Sequence, residues 1–432
     1  MNAPPRGTLV LGAGPAGLAV ALGLDGDATV LERRGDVGGL SASLEVDGAV
    51  LDVGGHSFWT PHPEVRALVL DAVPMVEQRR RAVCQVGDRR VDYPFQRHFG
   101  ALDAATAARC AAGLASADGG RGARNLDAFL VGRFGAGIAD AFLRPYNRKL
   151  WGHDLATLAT DWVGERIASP RPAPDEAGPA ARRVPLVEES VVGYPADGGF
   201  GAIFRALARR LPDVRLRAEV TRVDVVARTV TLADGATLPW RTLVSTLPLP
   251  ELVARTPAAP DDVREAVAGL RAVALRVVGV VVEGPETSDV QRLYVADDRC
   301  VAHKVARNHT SSPSLRARPR HVIVGEVSTT PDKPLPPGDL AARFVRELVA
   351  LGELASPEHV VRTVDLDVRH GYPLPTPDRA ARVAAARAWL ARHDIHTVGR
   401  FGGWAYVNSD ACLHEGLLLG RALAAARAGA RP

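Results

Sequence analysis

Three glycines at fixed spacing, Gly12, Gly14 and Gly17, and an acid 20 residues beyond the first, Glu32, are the residues of this sequence whose types and positions fit one chemistry most closely. Gly12 permits a tight turn after a short apolar strand, 8–11. Gly14 lets the backbone approach a pyrophosphate, and Gly17 lets the following helix, 15–24, pack against that strand. The helix start, within Gly12-Ala13-Gly14-Pro15-Ala16-Gly17, offers unpaired N–H groups to phosphate. A second strand, 28–31, carries Glu32 to where a carboxylate accepts hydrogen bonds from adenosine ribose hydroxyls. Strand, glycines, helix, strand and acid in register point to dinucleotide binding. Arg33 and Arg34, directly after the acid, leave open an NADP 2′-phosphate.

Those residues need elements to hold them, and 432 residues are too many for one core, since single cores stop growing near about 250–300 residues. Two or three lobes are expected. Hydrophobic residues at 47% and charged residues at 24% exclude a disordered chain and a membrane bundle, and no apolar run approaches the roughly 18 residues that span a bilayer. The net charge of +4 is spread along the chain, and Lys149, Lys304 and Lys333 are the only lysines, so no nucleic-acid face is expected. Cys84, Cys110, Cys300 and Cys412 form no C-x-x-C pair, which fits reduced thiols in a cytoplasmic enzyme. His393 and His396, three apart at an expected helix end, have no third ligand at useful spacing, and no metal is expected. The segment 8–24 is interrupted by glycine and proline and reads as mature fold, not as a signal peptide.

Alternation over 76–96 predicts paired strands, and 101–167 is Ala-rich and helical. The stretch 169–189 carries Pro170, Pro172, Pro174, Pro179 and Pro185 and is expected to be a long surface loop able to close over a substrate. Further on come a helix at 200–211, a hairpin at 220–232, a returning core strand at 243–246, and strands at 273–282 and 321–327 with 293–295 between them. Helices are expected at 339–351, 378–392 and 413–428. The fold class is therefore α/β: a Rossmann-like nucleotide domain from 1–75, 190–250 and 395–432, a mainly antiparallel β-sheet substrate domain from 76–100 and 251–394, and an inserted helical lobe with its proline-rich loop, 101–189.

Seven strings then occur in order: Gly38-Gly39-Leu40; Asp52-Val53-Gly54-Gly55-His56; Tyr93-Pro94-Phe95-Gln96; Arg144-Pro145-Tyr146-Asn147-Arg148-Lys149-Leu150-Trp151; Trp162-Val163-Gly164-Glu165-Arg166; His370-Gly371-Tyr372-Pro373; and Gly399-Arg400-Phe401-Gly402-Gly403-Trp404. The double glycine after the ribose acid, with D-x-G-G-H, resembles the flavoproteins of the amine oxidase and protoporphyrinogen oxidase superfamily. The whole set resembles the UDP-galactopyranose mutases, especially the eukaryotic type, over nearly the entire chain. The resemblance implies FAD, active when reduced, with NAD(P)H as reductant. It also implies a redox-neutral ring isomerisation of a nucleotide sugar held through flavin N5. On that resemblance Arg166, Tyr372 and Tyr406 contact the diphosphate, His56 lies beside the flavin ring, and the last helix points its positive end at the flavin pyrimidine. Arg400, Asn408 and Asp410 are further flavin contacts, the last two in the turn before that helix. Tyr93, Phe95, Gln96, Tyr146, Asn147, Trp151 and Trp162 line the substrate side.

The sequence departs from the mutase pattern after the strand 273–282, where Glu283-Gly284 stands at the position expected of a second diphosphate arginine, and at Ala272, where a tyrosine is expected. The segment from Tyr406 to Asn408 is also shorter. A nucleotide sugar other than UDP-galactopyranose itself is therefore expected, with replacement charge from Arg144, Arg148, Arg307 or Arg400. The competing class is an FAD oxidoreductase that passes substrate electrons to oxygen.

Overall fold

The computed structural model describes residues 7–163, 167–168, 191–286 and 288–429. Two sheets organise it. The first is parallel, in spatial order Ile395–Thr397, Thr242–Ser245, Thr8–Leu11, Thr29–Leu31 and Val214–Arg215. Thr8–Leu11 and Thr29–Leu31 are short and buried on both faces, as parallel strands between helices must be. The helix Pro15–Gly23 leaves the first strand and packs along Ser409–Gly429. Gly416 and Gly420 allow that approach: a Cβ on Gly420 would stand 2.3 Å from the Val20 carbonyl oxygen, and one on Gly416 2.5 Å from that of Ala16.

The second sheet has seven strands, in order Val360–Pro373, Ala272–Glu283, Arg320–Thr329, Lys304–Ala306, Arg292–Val295, Ala82–Val86 and Arg89–Asp92. All neighbours are antiparallel except Arg292–Val295 on Ala82–Val86. One face packs against the helical insertion, Ala104–Ala115, Leu126–Ile138 and Arg144–Trp151, in a core holding Phe95, Phe134, Phe142 and Trp151. The other face is covered by Leu340–Ala350 through Phe344 and Leu348. The α/β class with a parallel nucleotide sheet and a mainly antiparallel second sheet is the one expected from sequence. Among the described residues no helix is long and apolar enough to cross a membrane.

Three local expectations are corrected. The segment around Tyr372, for which no regular element is expected from sequence, is the end of the 14-residue strand Val360–Pro373, where Tyr372 pairs with Val273. Charged residues alternate along its exposed first half, the pattern of an edge strand, and Gly371 is needed because a Cβ there would meet Leu275 Cγ at 2.5 Å. The last helix begins at Ser409, so Asp410 lies in its first turn and not before it. His396 belongs to the strand Ile395–Thr397, beyond the end of the helix Arg379–Ala391.

Candidate functional site

A cavity of about 1050 Å³ runs from the glycine turn after the first strand to an aromatic cluster under the helical lobe, between the two sheets. At the nucleotide end the chain behaves as its glycines require. Gly12 has φ +98, and a Cβ on Gly17 would lie 1.9 Å from the Gly12 carbonyl oxygen, so helix and turn can close only without one. Gly14 faces Gly39 across the cavity wall, backbone to backbone, with 3.9 Å from an ideal Gly14 Cβ to Gly39 Cα. Gly38, at φ +102, donates its N–H to the Ala13 carbonyl and seats this second glycine pair. Glu32 is buried, accepting from the Ala13 and Arg34 N–H groups at 2.9 Å each, and still borders the cavity beside Pro15, Ala16, Arg33 and Leu40.

The D-x-G-G-H segment links the sheets. Asp52 is buried under hydrogen bonds from Ser43, Tyr194 and the Phe200 N–H. Gly55 donates its N–H to Glu326 at 2.7 Å, and the Gly54 carbonyl accepts from Asn308 at 2.8 Å. His56 borders the cavity, its ring stacked on Phe200 at 4.8 Å with Nδ1 buried and without a partner. Burial pushes its imidazole down to about 3 despite the attraction of Glu326, so the ring is neutral at physiological pH.

Glu326 is the centre of this region and was not anticipated. Its carboxylate also accepts from Lys304 Nζ at 2.8 Å and from the Tyr372 hydroxyl at 2.7 Å. Burial raises it, but Lys304, His303 and these hydrogen bonds together outweigh burial and hold it ionised, well below the usual range. Burial lowers Lys304, with Glu326 opposing. The signals were present: an acid inside the apolar run 321–327, and one of only three lysines.

The resemblance-derived positions divide clearly. Tyr93, Gln96, Tyr146, Asn147, Trp162, Tyr406, Asn408 and Asp410 border the cavity with Tyr372 and Arg400. Trp162 and Tyr406 meet edge to face at 5.4 Å, and the Arg400 guanidinium lies 5.8 Å from both the Tyr372 and Tyr406 rings while donating to the Val407 and Gly371 carbonyls. At the far end Tyr93, Tyr146 and Tyr294 cluster at 4.7 and 5.7 Å, and Arg80 donates to the Tyr294 hydroxyl at 2.7 Å. Tyr294 and Arg80 were also missed, because their neighbourhood depends on pairing between distant strands. Phe95 and Trp151 do not reach the cavity: both are fully buried behind it, Phe95 on Phe142 and Trp151 on Trp162. Gly17, Gly38 and Gly54 likewise shape the backbone without bordering the cavity. Arg166 and the proline-rich loop lie outside the described residues.

The expected departure at Glu283 is corrected. Its side chain is 55% exposed, pairs with Arg320 at 2.9 Å and does not face the cavity. Of the four arginines considered as replacements, only Arg400 borders the cavity; Arg144 pairs with Asp127 and Asp140, and Arg307 is buried with Glu353 and Glu286.

The glycine cradle, the carboxylate at the end of the second strand and the buried, unpartnered imidazole nitrogen suit a dinucleotide with a heteroaromatic ring at its far end, as FAD has. Known proteins agree. The family described as flavin containing amine oxidoreductase matches residues 15–377. A reduced UDP-galactopyranose mutase superposes with a TM-score of 0.87 at 25% identity, covering 99% of this chain and 95% of that one. A putative protoporphyrinogen oxidase from Exiguobacterium sp. 255-15 gives 0.70 at 15% identity over 99% and 100%. Cyclohexylamine oxidase from Brevibacterium oxydans IH-35A gives 0.66 at 16% over 98% and 100%, a likeness of fold alone.

Proposed function

Since this chain belongs to the family of flavin containing amine oxidoreductases, enzymes that use FAD, we propose that it interconverts the pyranose and furanose rings of a nucleotide sugar, with NAD(P)H as the source of reduction. The observation that carries this reading is the likeness over 99% of the chain to a reduced UDP-galactopyranose mutase, closer than to either oxidase above. The chemistry that bound, reduced FAD supplies is an electron-rich nitrogen, N5, able to hold a sugar carbon without net loss of electrons.

The chain's own residues do the rest. Gly12, Gly14 and the start of Pro15–Gly23 hold the diphosphate of the cofactor, and Glu32 the ribose. The first turn of Ser409–Gly429, with Asn408 and Asp410, presents positive N–H dipoles to the cavity and favours negative charge on a reduced ring. His56, neutral, gains or gives a hydrogen bond there without adding charge. On the substrate side Tyr93, Tyr146 and Tyr294 offer faces for a nucleobase, while Arg400, Arg80 and Arg166 are proposed to receive the leaving diphosphate. Lys304 is neutralised on the spot by Glu326. That leaves less unpaired positive charge at this point of the cavity than a lone cation would.

The test is turnover of a panel of UDP-, GDP- and dTDP-linked hexopyranoses, followed by chromatography. Anaerobically reduced enzyme should convert one of them to its furanose form with no net consumption of reductant, and oxidised enzyme should not. Failure across the panel, together with oxygen consumption driven by an amine or another hydride donor, would replace this reading with the oxidoreductase one.

A further inference from the structure

Outside the cavity, at one end of the seven-stranded sheet, Glu286, His309 and His321 converge in a place the flavin chemistry does not use. Three separate stretches deliver them: the loop after Ala272–Glu283, the single turn Asn308–Ser311 and the strand Arg320–Thr329. His321 shares its face of the strand with Ile323, which packs beneath Leu340–Ala350, whereas Glu326 faces the cavity. All three side chains are buried, with exposures of 5%, 3% and 6%.

Glu286 Oε2 lies 2.7 Å from His309 Nε2 and 3.7 Å from His321 Nε2, and the three atoms fall within 4.8 Å of one another. Ligand atoms at the roughly 2.0–2.1 Å bond lengths of tetrahedral zinc stand about 3.3 Å apart, a value those two separations bracket. Burial lowers both imidazoles, His321 to about 4. Burial also pushes Glu286 up, but the His309 hydrogen bond and Arg307 outweigh it and hold the carboxyl at about 2. The donor set is two imidazoles and one carboxyl group. Arg307 Nε, 3.3 Å from Glu286, brings a positive charge close, and Glu353, paired with the same guanidinium, offsets it.

A second observation bears on the histidine tautomer. His309 Nε2 now points at Glu286, while its Nδ1 is buried without a partner and the backbone of Val322 acts on the ring. A cation at Nε2 would leave the proton on Nδ1. Metal-bound histidines are oriented in this way, the second nitrogen donating to a carbonyl. Glu286 also borders a surface depression formed with Glu283, Gly284, Pro285 and Arg316–Pro319.

We propose that Glu286, His309 and His321 bind a divalent first-row transition ion, best fitted by zinc, as a clamp that fastens Glu286, just beyond the strand Ala272–Glu283, to the sheet. The site lies apart from the proposed active site and does not depend on that reading. The experiment uses the full flavin-loaded chain, stripped with a chelator and titrated with Zn²⁺ by calorimetry, with elemental analysis of the dialysed product. One equivalent is expected. Binding should weaken by more than about tenfold in both His309→Gln and His321→Gln and stay unchanged in His393→Gln, with the flavin spectrum reporting an intact fold. Co²⁺ in the unaltered protein should give the intense visible bands of a four-coordinate site, a readout that no variant's folding affects. Absence of a stoichiometric ion in the unaltered protein, weak octahedral-type Co²⁺ bands, or undiminished binding in the two histidine variants would each overturn the proposal.

Discussion

Glu326 accepts hydrogen bonds from a main-chain N–H, a lysine and a tyrosine, so its replacement does not remove one contact but strands several buried donors. Glu326→Gln leaves the Lys304 charge without its partner, and breaking a buried pair from one side costs about 3–5 kcal/mol. Denaturant unfolding should register that loss, and the double variant Glu326→Gln, Lys304→Met should recover part of it, because no uncompensated charge then remains. The same region sets the acid limit of stability. His56 and His303 are pushed below their ordinary values by burial, so from about pH 6.5 downward the unfolded chain binds protons that the folded chain does not. Stability therefore falls as pH drops below about 6.5, and Glu326, also depressed, adds a loss of the same sign at still lower pH. Unfolding midpoints at pH 7 and pH 5 check the direction, and a His56→Gln variant should show the smaller difference.

At the scale of elements, backbone approach decides more than side-chain chemistry. The helix Pro15–Gly23 touches the Gly12 turn on one side and Ser409–Gly429 on the other, with glycine at each contact. Gly17→Ala would force the turn outward and Gly420→Ala would part the two helices. Overpacking of this kind costs about 1–3 kcal/mol, and the ratio of flavin to protein absorbance after gel filtration should drop in Gly17→Ala more than in Gly420→Ala. These elements were legible because each carries its own signal: periodicity, a glycine at a required φ, an acid at the strand end. The strand Val360–Pro373 was not legible, since its first half alternates polar and apolar residues on an exposed edge and Tyr372 finds its partner Val273 99 residues earlier in the chain. Glu283 misled for a related reason: its place along the strand was evident, but which end of that strand meets the cavity is set by the sheet's pairing.

Over the whole molecule the cavity lies between two sheets whose segments alternate along the chain, so ligand binding and global folding are linked. Holoenzyme and FAD-stripped enzyme should melt at different temperatures, and FAD at about 100 times its dissociation constant should add roughly 2.7 kcal/mol of stability. A thermal shift confined to one of two separate transitions would contradict that coupling. The Gly55 N–H to Glu326 bond fixes where the two halves meet, a contact across 271 residues of sequence. It has a consequence for anyone grafting this scaffold. The second glycine of the cofactor motif and the Lys304–Glu326–Tyr372 group are halves of one joint, so a chimera that takes its nucleotide half from one relative and its substrate sheet from another inherits mismatched parts unless residues 52–56 travel with 303–326. A single crossover in the exposed hairpin around Val226 separates these two segments and should fail, whereas an insertion there, which leaves both in one parent, should be tolerated.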